Sequence, residues 1–73
     1  MTTPSELACV ELDSAIGGLE YVAVTAAGTK ERRSIGALAC VHLRRAERLG
    51  EPGLAKRARA VAASCLSEAA RCE

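Results

Sequence analysis

The sequence predicts an all-α protein: a small antiparallel three-helix bundle, with helices at about 4–27, 30–49 and 52–71, in one domain spanning 1–73. Three observations lead there. Apolar residues recur at spacings of three and four along most of the chain. Prolines stand where two helices would start, at Pro4 and Pro52, and glycines where two would stop, at Gly28 and Gly50. The connections between these segments are only a few residues long, which makes successive helices antiparallel neighbours.

The first helix carries the clearest pattern. At about 100° per residue, Ala8, Leu12, Ala15, Ile16, Leu19, Val22, Ala23 and Ala26 fall in one arc. Glu6, Asp13 and Glu20, seven apart, form an acidic stripe on another side. Thr3 ahead of Pro4, with Glu6 three residues later, reads as a capping box. Two features compete with a continuous helix. Each glycine of the Gly17-Gly18 pair costs about 1 kcal/mol relative to alanine, so a kink or break there is an alternative. "EYVAVT", residues 20–25, is rich in β-branched side chains and partly alternates, as a strand would. The eight matched positions favour the helix.

The second helix starts near Thr29 or Ser34 and ends at Leu49, with Ile35, Leu38, Ala39, His42, Ala46 and Leu49 as its expected buried arc. Arg33, Arg44 and Arg48 point the other way. The third starts at Pro52, and its seam is Leu54, Ala58, Val61, Cys65, Ala69 and Cys72.

Composition limits what this bundle can bury. The 73 residues include eight Leu, two Ile, five Val and one Tyr, with no Phe or Trp, and alanine makes up much of the 49% apolar fraction. An alanine-built core needs close helix approach and buries little area, so self-association is a reasonable expectation. Residues 1–29 carry four acids and no Lys or Arg, whereas 30–73 carry ten bases and five acids. A split of this kind suits either an external partner or complementary helices. The start, "MTTPSELACVELDS", lacks the basic and apolar regions of a signal peptide, and no run reaches transmembrane length, so a cytoplasmic location with reduced thiols is expected. Richness in Ala and Arg fits a GC-rich, bacterial genome.

The basic stretch "RRAERLGEPGLAKRARA", residues 44–60, contains the Ala46-x-x-x-Gly50 spacing of DNA-binding helix-turn-helix motifs. That motif buries the positions held here by Arg45, Glu51, Lys56 and Arg59, all charged, and only Leu49 fits. The stretch is better explained as a corner, with Gly50 ending one helix and Pro52 starting the next. Through Ala46, Leu49, Ala58 and Cys65, the segment "LRRAERLGEPGLAKRARAVAASCLSEA" resembles one helical hairpin of the tetratricopeptide-type repeats found in bacterial regulators. A tryptophan-type first position and a second repeat are missing, and solenoids need about three repeats.

Arg44, Arg48, Lys56, Arg57 and Arg59 could contact phosphates, and a nucleic-acid-binding regulator using Arg44, Arg48, Lys56 and Arg59 is the alternative function. A pI near 7.7 and the lack of stacking aromatics among them favour a solvated face instead. In "ACVH", Cys40 and His42 are about 200° apart on a helix, so they cannot share a metal. Cys65 and Cys72 share a face but would lie about 10 Å apart along it. The cysteines read as small buried hydrophobes, and His42 as a core histidine bonded to a neighbouring helix. Spacing gives no cofactor, metal or catalytic constellation, and a thiol or metal site assembled from cysteines of different helices is the third reading.

The favoured site is a second stripe on the first helix: Val10, Ser14, Gly17, Tyr21 and Val24, spaced 4-3-4-3 and opposite the core arc. It is apolar at its ends, small at its centre, and holds the only aromatic residue. Such a face suits a closely approaching helix, with tyrosine as an anchor. The expected function is a non-enzymatic interaction or regulatory module that binds a second copy of itself or a larger protein through this helix. The acidic stripe would set orientation against a basic surface.

Overall fold

The computed structural model describes residues 3–66. They form three α-helices: α1, Pro4–Thr25; α2, Thr29–Leu49; and α3, Pro52–Cys65. All three pairs touch, and α3 packs most extensively on α2. One group of buried residues unites Leu12 and Ile16 with Leu43, Ala46, Ala55 and Ala58. The other unites Ala23 with Ile35, Ala39, Val61, Ala62 and Cys65. The first half of α1 thus meets the second half of α2 and the first half of α3, as an antiparallel bundle requires.

Local chemistry sets most of the helix ends. The Glu6 amide donates to Thr3 Oγ1 at 3.1 Å, and Pro4 follows in the first turn. Helix α1 runs unbroken through Gly17-Gly18 and through "EYVAVT", so neither a break nor a strand forms. It stops at Thr25 rather than 27, because Ala26 turns extended. Gly28 is therefore the N-cap of α2 and not the stop of α1. Gly50 adopts φ +70°, and the amides of Gly50 and Glu51 return to Glu47 and Ala46, the left-handed cap expected there. Helix α3 ends at Cys65, short of the expected 71, because Leu66 is extended. Ala69, Cys72 and the rest of 67–73 lie outside the described residues.

Among the described residues, half of the twelve buried apolar side chains are alanines, so the helices are held by close approach more than by bulk. The α2 core differs from the expected arc. Ile35, Gly36, Ala39, Leu43 and Ala46 are buried, whereas Leu38 and Leu49 are exposed and His42 is half-buried. Relative to the expected arc the buried face is rotated by about 60°. The physical reason is that α2 must cover both partners, and α3 claims the side where Gly36 and Leu43 lie. Gly36 admits Leu66, whose Cγ is 2.5 Å from where a Cβ would stand. In α1, Val22 belongs to the predicted arc yet is 43% exposed.

Helices α1 and α3 have no cation in their last turns. Arg32, in the first turn and a half of α2, supplies one to both. Its Nη1 donates to the Ala23 carbonyl at 3.1 Å, and its Nη2 to the Ser64 carbonyl at 2.6 Å. One guanidinium therefore meets the negative ends of two helix dipoles.

Candidate interaction surface

The outer face of α1 is where the sequence places the site. Val10, Tyr21 and Val24 are exposed at 60, 73 and 86%, and Ser14 is exposed between them. Gly17 is half-buried, because Arg57 from α3 reaches across it: a Cβ at Gly17 would lie 3.8 Å from Arg57 Nη2. The stripe thus has open apolar ends and a centre partly covered from within the molecule.

Arg57 also changes the role of the acidic stripe. Its Nη2 and Nε donate to Glu20 at 2.7 and 3.3 Å, and its Nη1 donates to Asp13. The fork holds the Glu20 carboxyl below its ordinary pKa, chiefly through the hydrogen bond, and raises that of the guanidinium. All three side chains remain substantially exposed, so the network contributes about 1 kcal/mol or less. Asp13 and Glu20 are therefore engaged inside the chain. Glu6 makes no ion pair among the described residues.

A second stripe was missed at the sequence level. Leu38, Val41 and Leu49 of α2 are exposed at 50, 49 and 37%, and Arg45 continues their face at spacings of 3, 4 and 4. The spacing was visible, but counting Leu38 and Leu49 toward the core concealed it. Beside this stripe, a groove of about 580 Å³ runs between α1 and α2, with Arg45, Arg48 and Leu49 on one side and Ala8 and Glu11 on the other.

Two of the basic residues line different clefts. Arg48 borders the α1–α2 groove, while Arg59 lines a different cleft beside Glu47 and Glu51. Lys56 and Arg44 are exposed on α3 and α2. The first cleft mixes bases with one acid, and the second sets one base against two.

Cys9 donates to Glu51 at 3.4 Å, tying α1 to the α2–α3 turn, and desolvation together with that carboxylate pushes the thiol pKa up. Cys40 and Cys65 belong to the second core group. His42 is half-buried rather than fully in the core, and its Nδ1 has no hydrogen-bond partner among the described residues, contrary to the interhelical bond expected. Among those residues, no three His, Cys, Asp or Glu side chains converge as metal ligands, and no helix is long and apolar enough to cross a membrane. Comparison with protein-family models, curated proteins and solved structures gives no match, so function has to be argued from these surfaces.

Proposed function

We propose that this chain is a small, non-enzymatic, cytoplasmic interaction module of bacterial origin, which associates with a second copy of itself through the outer face of α1 and regulates through that contact. The observation that carries the proposal is the exposure of Val10, Tyr21 and Val24 on one face of one helix. Large apolar side chains in such a row bury well against another helix, and tyrosine adds an amphipathic anchor. An alanine-rich core adds a motive, since association supplies apolar burial that the monomer lacks.

Light scattering on the reduced protein tests this. The expected mass exceeds the 7.6 kDa of one chain. Tyr21→Ala and Val24→Ser, both at exposed positions, should each weaken association by about tenfold or more. A wild-type protein that stays monomeric up to several hundred micromolar would overturn self-association.

A further inference from the structure

We infer that the outer face of α1 docks into the α1–α2 groove of another copy, so that the contact joins two different surfaces rather than one surface with itself. The inference rests on the self-association proposed above and names the surface that receives α1. Ala8, Leu12 and Ala15 of α1 give the groove an apolar lining. Leu49 closes its α2 side, and Leu38 and Val41 continue that helix face. An incoming helix would find apolar contact there, as amphipathic helices do in hydrophobic grooves.

Charge selects the occupant. Arg45 and Arg48 stand at the groove, and neither makes an ion pair among the described residues. Glu11 is the single acid lining it, so guanidinium groups outnumber carboxylates two to one. The outer side of α1 has the opposite balance. Glu6, Asp13 and Glu20 flank it, and among the described residues Arg57, paired with the last two, is the one cation that offsets these three acids. A negative helix face with exposed Val10, Tyr21 and Val24 therefore meets a positive groove with an apolar lining. An α1–α1 contact would instead bring two acidic faces together, which like-charge repulsion opposes. The Tyr21 ring also offers a face to the groove's arginines. Because the two surfaces differ, the contact can be made twice in a reciprocal two-fold pair or repeat from copy to copy until it closes a ring.

A mixing experiment distinguishes this arrangement from an α1–α1 contact. Tyr21→Ala spoils the face and leaves the groove intact. Arg45→Glu with Arg48→Glu spoils the groove and leaves the face intact, and circular dichroism would verify that it folds. Arg45→Ala with Arg48→Ala serves as the milder second variant. Each variant alone should associate at least about tenfold more weakly than wild type. Mixed, the two should form a one-to-one pair that grows no further, since only one productive contact remains. Wild-type association should also weaken as salt is raised from about 0.05 to 0.5 M. The inference is overturned if the arginine variants associate like wild type, or if the mixture stays monomeric while wild type associates. In either case self-association itself stands. A monomeric wild type overturns both.

Discussion

Single atoms decide how two of the glycines and the histidine behave. Gly18 has nothing within 4 Å of an added Cβ, so Gly18→Ala should stabilise the fold by about 0.5–1 kcal/mol through helix propensity alone. Gly36 also sits within a helix, but its Cβ would run into the Leu66 side chain. Gly36→Ala should forfeit that gain and end at or below wild-type stability, and urea melts of the two variants side by side check the contrast. His42 answers to pH. Burial, with Arg45 one turn on, lowers its pKa from the ordinary 6.5, so the fold favours the neutral ring. The associated stability is complete above 6.5 and is lost as pH falls from there through the lower folded value. Thermal melts between pH 8 and 5 should show that loss, and His42→Gln should remove this component. Neither behaviour is written in the chain's periodicity, because the space at Gly36 and the burial of His42 are set by how the chain packs around α2.

At the level of elements, the starts were legible and the ends less so. Thr3-Pro4 and Pro52 mark helix starts through local backbone chemistry, and Gly50 marks a stop because its left-handed conformation suits glycine. Thr25 and Cys65 end helices with no glycine beside them. At α1 the exposed carbonyl end is answered by Arg32, a residue of another helix, and the same side chain serves α3. Arg32→Ala should therefore destabilise the protein by about 1–2 kcal/mol, and Arg32→Lys should recover only part of that, because an ammonium cannot fork to two helix ends. Chemical denaturation of the two variants measures it. The outer α1 stripe was legible because a 4-3-4-3 spacing needs no neighbour to be seen. The α2 stripe was not, because deciding whether Leu38 and Leu49 face inward requires knowing where α3 lies.

The whole molecule is a bundle whose alanines allow close packing but supply little apolar area, so its stability should depend on association. If copies bind as proposed, the melting temperature should rise with protein concentration across a range of about a hundredfold, as mass action demands. Tyr21→Ala should flatten that dependence, and melts followed by circular dichroism at several concentrations would show it. The sequence by itself determined the fold class, the number of helices, their antiparallel order and the apolar outer face of α1. These follow from short-range periodicity and from the caps, which act within a few residues. Tertiary structure alone decided that Arg57 engages Asp13 and Glu20, that the α2 core is rotated toward Gly36 and Leu43, and that a basic groove opens between α1 and α2. Each of these brings together residues 30 or more positions apart or sets a helix's rotation, and periodicity within one helix carries no information about either.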